Sequence, residues 1–443
     1  MRTISGSLGR LLPGSSRRCL VVGLDGIGHG EMIAAVKAGV APTLGSLIAQ
    51  GQLLPIASTY PPLSSIGWST FMTGCFPGRH GVFGLTHPEA DFGVRINDAR
   101  DLRMPTLWDR AAIDGLRSVV VNLPGTYPAR RMSGKLVSGF VAPDLARACH
   151  PRSLGARLSA EGYLIDVDTA LAQSDPTRFA AHALEVLQRR MHAMESMLDS
   201  ERWSLAVLAF TEANRLNRMW WRRIVEGDGI ERETYWQWFR QVDSFLARCM
   251  SRLSATDVVV ASVNGFGPLT RFVNVDAWLR ANGYLHIGAS GEVRPDSRAI
   301  SMDQGRIYVA SPDMFRGGAV PKADVGRLVD ELADGLTQLQ DPTTGGPVIS
   351  VIRKRRDAYE GALTSQGPNL VCLPAPGYEL KSSRDLPLFS DAVFEGTHTQ
   401  QDAMLLAPGT AAAPGASVAD VGATILAKLG LYHDDVDGKS LLI

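Results

Sequence analysis

The chain has 443 residues, of which 45% are hydrophobic and 20% are charged. This composition is ordinary for a globular protein, and the length allows one large core with insertions, or two domains. Lysine and arginine together number 45, as do aspartate and glutamate, so the formal net charge is zero. Such a balance creates no overall field that attracts nucleic acid or an anionic membrane, and we expect neither as a partner.

Cysteine usage and hydropathy indicate the compartment. No apolar run approaches the ~20 residues that a membrane-spanning helix needs. The five cysteines, at positions 19, 75, 149, 249 and 372, form no metal-type pair and are odd in number. This usage fits reduced thiols, so the sequence predicts a cytoplasmic protein.

Along the chain, residues 1–18 are rich in Gly, Ser and Arg and are predicted to form a flexible tail before a folded domain at 19–443. Short apolar runs of strand length recur in the rest of the chain. They are Cys19–Leu24, Ser118–Val121, Ser204–Phe210, Asp257–Ala261, Leu370–Leu373 and Ala403–Leu406.

Helical patterns lie between these runs. Pro42–Gln50 begins with proline and stops before Gly51, which is typical of a short helix. Asp175–Ser200 spaces its apolar residues three and four apart, which predicts an amphipathic helix. Strands that alternate with helices indicate an α/β fold whose mostly parallel sheet is sandwiched by helices. Two segments, about 215–245 and 285–365, are predicted to be cap insertions.

Ligands of such sheets bind at the carboxyl ends of strands. Asp25 follows the first predicted strand, and polar segments follow Phe210 and Ala261. We therefore expect these three points of the chain to meet at one edge of the sheet.

The strand that ends in Asp25, the segment Pro61–Gly74 (PPLSSIGWSTFMTG) and Gly78–Gly81 (GRHG) together resemble the type I phosphodiesterase/nucleotide pyrophosphatase branch of the alkaline phosphatase superfamily. The resemblance implies an alkaline-phosphatase-like fold with two divalent metals, one of them bound by Asp25. It also implies a Ser or Thr nucleophile nine residues before a Thr-Gly pair. That position is Ser64, with Ser65 as its neighbouring rival. The alternative without chemistry is that Asp25 and Ser64 only cap helices.

The remaining ligand segments depart from the family pattern. Residues 210–221 and 260–267 resemble segments in which the family uses Asp and His to bind metal. The four corresponding positions here hold Asn214, Arg218, Val263 and Asn264. The last ligand segment, Gly396–Thr399, keeps its histidine, His398. Asparagine is a poor zinc ligand, arginine repels a cation and valine has no donor, so no metal or other cofactor is predicted.

The first interpretation is a metal-independent enzyme that performs acyl transfer, ester hydrolysis or lyase/cyclase chemistry. Ser64, His398 and Asp25 have the chemical types of a nucleophile, a base and an orienting carboxylate. Arg218 is the candidate clamp for an anionic or carbonyl oxygen. Asn214, Asn264 and Glu212 are the other candidate substrate-binding residues. The expected partner is a small-molecule or carrier-bound substrate with an anionic or carbonyl group.

Two alternatives remain open from the residues. One is a catalytically inactive pseudoenzyme that binds a phosphorylated ligand or a protein partner. The other is a residual phosphodiesterase that holds one weak metal through Asp25 and Ser64.

Overall fold

The computed structural model describes residues 18–443, so the predicted tail lies outside the described residues except for Arg18. Fourteen α-helices occur within 18–443. They are α1 (His29–Lys37), α2 (Pro42–Gln50), α3 (Ser64–Thr73), α4 (Pro77–His80), α5 (Leu107–Ile113), α6 (Arg152–Ala160), α7 (Leu171–Ser174), α8 (Pro176–Ser200), α9 (Glu212–Glu226), α10 (Ile230–Met250), α11 (Val275–Ala281), α12 (Val325–Thr337), α13 (Arg355–Ala358) and α14 (Val418–Lys428).

The same part of the chain contains eighteen β-strands. They are β1 (Cys19–Leu24), β2 (Leu53–Ile56), β3 (Thr86–Pro88), β4 (Val94–Ile96), β5 (Ser118–Leu123), β6 (Gly134–Ser138), β7 (Cys149–His150), β8 (Leu205–Phe210), β9 (Val258–Ala261), β10 (Gly265–Asn274), β11 (Ala299–Met302), β12 (Arg306–Val309), β13 (Ile349–Lys354), β14 (Leu370–Pro374), β15 (Gly377–Lys381), β16 (Phe389–Asp391), β17 (Gly396–Thr399) and β18 (Ala403–Leu406).

The central sheet has eight strands in the order β2-β18-β9-β1-β8-β5-β6-β7. Its middle five strands, from β9 to β6, pair in parallel, whereas β18 pairs antiparallel with β9 and β7 pairs antiparallel with β6. Every residue of β1, β5 and β8 is buried, because helices cover both faces of a parallel sheet. The α/β fold with a mostly parallel sheet is thus confirmed.

Each face of this sheet has its own hydrophobic core. One core joins the sheet to α1, α2, α8, α9 and α10, and the other joins it to α3, α5 and α14. The predicted amphipathic helix is α8, which begins at Pro176 because the side chain of Asp175 accepts a hydrogen bond from the Arg178 backbone N–H at 3.0 Å. The segment 215–245 lies in α9 and α10, and its Trp220 and Trp238 are fully buried. This segment is therefore part of the helical layer on that face.

The segment 285–365 supplies β11, β12, β13 and α12. These strands join β14 in a separate four-stranded sheet, β11-β12-β14-β13, which has its own apolar core. The predicted strand Leu370–Leu373 belongs to this smaller sheet rather than to the central one. A third sheet, formed by β10 with β15, β16 and β17, carries His398 toward the central sheet.

Within residues 18–443 no single helix is both long and apolar enough to cross a membrane. One bent pair of helices, α1 with α2, meets these criteria, by length and composition only.

A buried ion pair joins α8 to α9. The side chains of Arg190 and Glu212 are both inaccessible to solvent and form a salt bridge, and Trp238 Nε1 lies 3.4 Å from Glu212 Oε2. Removing one partner of such a pair leaves an uncompensated charge in a medium of low polarity.

We therefore expect Glu212→Ala to lower the free energy of unfolding by about 3–5 kcal/mol in urea denaturation. The matched control is Glu233→Ala, which breaks the exposed pair with Arg240 and is expected to change stability by less than ~1 kcal/mol. Equal losses in the two variants would contradict the structural role of the buried pair.

Candidate functional site

A cavity of about 190 Å³ opens at the carboxyl edge of the parallel strands. Asp25 reaches it from the end of β1, Pro124 from the end of β5 and Thr211 from the end of β8. Phe140, which follows β6, and His398, on β17 of the third sheet, also line the cavity. Of the three strand ends from which the sequence predicts ligand binding, those of β1 and β8 supply lining residues, whereas Asn264, beyond β9, donates to the lining residue Ser64.

Ser64 is the first residue of α3 and lines the cavity. Its Oγ donates to Asp25 Oδ1 at 3.0 Å and accepts from the side-chain amides of Asn264 at 3.1 Å and Asn214 at 3.4 Å. The hydroxyl therefore has its proton directed at a carboxylate and its lone pairs directed at two N–H donors. Its place at a helix N-terminus adds backbone N–H groups and a dipole that favour negative charge.

Asn214 lies between Ser64 and His398. Its Nδ2 is 3.0 Å from His398 Nε2, and its Oδ1 is 3.5 Å from an Arg215 guanidinium nitrogen. Because a guanidinium only donates, Arg215 fixes the orientation of the Asn214 amide, which then donates to Nε2. Within residues 18–443, Ser64 Oγ has no hydrogen bond to His398. The structure therefore does not form the direct Ser64–His398 pair expected from the sequence.

The electrostatics of the site follow from burial. Burial lowers the pKa of His398 to about 3, and the nearby Arg218 cation adds to this effect. Burial raises the pKa of Asp25, against the opposing effects of the Trp68 N–H, 2.9 Å away, and the Arg215 charge. His398 is consequently a neutral imidazole at physiological pH, and Asp25 is a more basic carboxylate than an exposed aspartate.

Two predicted substrate-binding residues are engaged elsewhere. Arg218 does not line the cavity, because it makes a two-pronged ion pair with Glu379, donates to the Gly396 carbonyl at 3.1 Å and stacks on Phe394. Although burial opposes it, the Arg218 charge holds the pKa of Glu379 at about 2. Glu212 is buried against Arg190 and likewise does not line the cavity. The cation at the cavity is instead Arg215.

The family model for type I phosphodiesterase/nucleotide pyrophosphatase matches residues 19–401. The chain belongs to this family. A comparison with curated proteins gave no match.

Solved structures show the same fold for this family member. Phosphonoacetate hydrolase from Sinorhizobium meliloti 1021, in complex with phosphonoformate, has a TM-score of 0.64 at 18% identity, covering 97% of this chain and 99% of the other. Murine ectonucleotide pyrophosphatase/phosphodiesterase 5 has a TM-score of 0.56 at 13% identity, covering 95% of this chain and 97% of the other. At these identities the likeness concerns the fold alone.

The residues of this family member do not fit a two-metal centre. No group of three or more His, Cys, Asp or Glu side chains in the described part of the chain is arranged to hold a metal ion. Val263 is fully buried, and Gly67 of α3 leaves room for its side chain, because a Cβ at Gly67 would lie 2.7 Å from the Val263 Cβ. Asn264 and Asn214 use their amide N–H groups on Ser64 Oγ, which is the wrong polarity for a cation nearby.

Sequence reasoning missed Arg215, Trp68 and Asp166. Asp166 accepts from Arg215 in a two-pronged ion pair with a closest approach of 2.5 Å, and this pair sets the Arg215 side chain beside Phe140. Arg215 directly follows Asn214 in the sequence, which was the available signal. Asp166 lies 49 residues away in a loop, and no local pattern marks it.

We expect His398 to remain neutral, with its proton on Nδ1, from pH 8 down to pH 5. The pKa of about 3 lies below this range, and the Asn214 amide donates to Nε2. Two-bond ¹H–¹⁵N correlation spectra of the imidazole rings measure both properties. The variant His398→Asn assigns the signal, and titration of that signal near pH 6.5 would contradict the expectation.

Proposed function

We propose that this protein is a metal-independent esterase or acyltransferase with Ser64 as its nucleophile. The observation that supports the proposal most is the environment of Ser64 Oγ, which has a carboxylate acceptor and two amide donors. The carboxylate can remove the proton, and the donors stabilise the alkoxide that forms. In this proposal the chain's own side chains both remove the proton and stabilise the alkoxide, so no step depends on a metal.

The reaction begins when Ser64 Oγ attacks an ester carbonyl carbon while its proton passes to Asp25. The raised pKa of Asp25 favours this transfer relative to an exposed aspartate. The carbonyl π electrons move to oxygen, and the partial positive charge at the N-terminus of α3 stabilises that oxyanion. Collapse expels the alcohol, which takes the proton from Asp25. A water or acceptor alcohol then loses its proton to Asp25 and attacks the acyl carbonyl carbon. The bond from that carbon to Ser64 Oγ breaks, and Ser64 Oγ takes the proton back from Asp25 as the acid or new ester leaves.

His398 and Arg215 act in this proposal through Asn214. His398 Nε2 accepts from the amide, and Arg215 donates to its oxygen, so the amide is held against Ser64 from both sides. His398 is thus a positioning residue rather than the base expected from the sequence. The lone pair of His398 Nε2 already accepts a hydrogen bond from the Asn214 amide, so it is not available to accept the Ser64 proton.

The decisive comparison is Ser64→Ala against Ser65→Ala. Ser65 Oγ is buried without a hydrogen-bond partner, whereas Ser64 Oγ has three. With p-nitrophenyl esters, we expect Ser64→Ala to lower kcat/KM by at least about 10³-fold. Ser65→Ala should stay within about threefold of wild type. Loss in the Ser65 variant with retention in the Ser64 variant would overturn the assignment.

A chelator distinguishes this proposal from a residual one-metal phosphodiesterase. We expect prolonged dialysis against EDTA, followed by added zinc or manganese, to leave ester turnover unchanged. Inactivation by EDTA with recovery on metal addition would favour the one-metal alternative. Absence of turnover on every ester, with retained ligand binding, would favour the pseudoenzyme.

The pH dependence of kcat/KM should report Asp25. The base must be ionised, so activity should rise with pH, with its acid limb above the usual aspartate range because burial raises the pKa of Asp25. The Arg215 charge lowers that pKa, so Arg215→Gln should move the limb to still higher pH. A limb that stays in place or moves to lower pH in Arg215→Gln would contradict the role of Asp25.

A further inference from the structure

We infer that the substrates of this site are uncharged esters with a short apolar acyl group, rather than phosphoesters or acidic esters. This inference rests on the proposed function and names its substrate class. Two independent properties of the cavity support it: the balance of its charges and the nature of its walls.

Two of the three charged side chains that line the cavity, in the part of the chain that the structure describes, are already paired with opposite charges. Arg215 is engaged by Asp166, and Asp98, a lining residue, is paired with exposed Arg100. Among the described residues that line the cavity, Asp25 is the remaining charged side chain and carries negative charge when it acts as a base. A phosphoester or a carboxylate would approach this anion without a free cation to compensate it. The Arg218 charge is committed to Glu379 outside the cavity.

Part of the cavity lining, called here the apolar wall, consists of apolar side chains. The side chains that form it include Leu63, Val82, Leu85, Leu102 and Phe140. Val82 and Leu102 are buried in the core on that face of the sheet, whereas Phe140 lies at the rim and is 37% exposed. An acyl chain on this wall removes apolar surface from water, while its carbonyl remains beside Ser64.

The size of the cavity limits the acyl group. Its volume is about 190 Å³. An apolar cavity of ~150 Å³ accommodates a benzene ring. We therefore expect an acyl chain of about four to six carbons, or one aromatic ring, to fill the space.

The experiment compares p-nitrophenyl acetate, butyrate, hexanoate, dodecanoate and hemisuccinate with p-nitrophenyl phosphate and bis-p-nitrophenyl phosphate, so that the leaving group is constant. We expect kcat/KM to rise about fourfold for each added methylene until the cavity is full, then to fall for dodecanoate. Hemisuccinate, which matches butyrate in chain length but carries a carboxylate, should lie at least tenfold below it. The two phosphoesters should not be cleaved.

Two variants test the wall itself. Phe140→Ala shortens the wall at an exposed position, where folding is tolerant, and should reduce the preference for hexanoate over acetate by about tenfold. Leu102→Phe fills the cavity and should move the optimum toward acetate. Unchanged chain-length profiles in both folded variants would overturn the assignment of the wall.

The outcomes separate this inference from the proposed function. Rapid turnover of hemisuccinate or a phosphoester, relative to butyrate, would overturn the substrate class while leaving Ser64 chemistry in place. If no ester is cleaved, the substrate class is tested by comparing the affinities of Ser64→Ala for p-nitrophenyl butyrate and for p-nitrophenyl phosphate. Tighter binding of butyrate would support the inference although the proposed function had failed, and tighter binding of phosphate would overturn it.

Discussion

The carboxylate of Asp25 connects the middle of the sheet to the helix that carries Ser64. Strand β1 is buried along its whole length, so the residue that follows it emerges at the centre of the carboxyl edge. A carboxylate in that position needs donors, because burial penalises its charge. Trp68 and Ser64, both on α3, supply them at 2.9 and 3.0 Å. The placement of α3, and with it the Ser64 hydroxyl, therefore depends on this interaction.

The amides around Ser64 give the site a different electrostatic character from a metal centre. A divalent cation would lower the pKa of a hydroxyl by adding charge, and it would attract anionic substrates. Asn214 and Asn264 provide dipoles directed at the same oxygen without net charge. In the proposed reaction, a site without net charge of this kind needs a basic carboxylate to take the Ser64 proton. Burial raises the pKa of Asp25, which suits it to that part of the proposed reaction.

Much of the fold follows from local patterns. Cys19–Leu24, Pro42–Gln50 and Ala403–Leu406 have the bounds predicted from the sequence, since each is a short apolar or capped segment with clear ends. The position of Asp25 and Asn264 at the same edge of the sheet, where both bond Ser64 Oγ, also follows, because β1 and β9 are neighbouring parallel strands. The domain boundaries and the cytoplasmic location stay predictions.

The side-chain geometry of the site could not be predicted in the same way. The Asn214 amide lies between Ser64 and His398 and bonds both of them, so these two residues do not bond each other directly. The sequence does not reveal that one side chain separates them. Similarly, Glu379 lies 161 residues from Arg218, and no spacing in the sequence pairs them. Long-range ion pairs are set by tertiary packing, so residue types alone misplaced the cation of this site.

Two of the four arginines of α9 differ in role because their acidic partners lie in different places. Arg215 and Arg218 are three residues apart, one helical turn, and both are half-buried. Asp166 holds the first at the cavity beside Phe140, whereas Glu379 holds the second beside Phe394. Arg218 still influences the site through space, because its charge helps to lower the pKa of His398. Burial, with the Arg218 charge as a smaller cause, lowers the pKa of His398, and the resulting neutral imidazole can accept a hydrogen bond from the Asn214 amide. Arg218, which the sequence suggests for substrate binding, is thus connected to the Ser64 hydroxyl only indirectly, through His398 and Asn214.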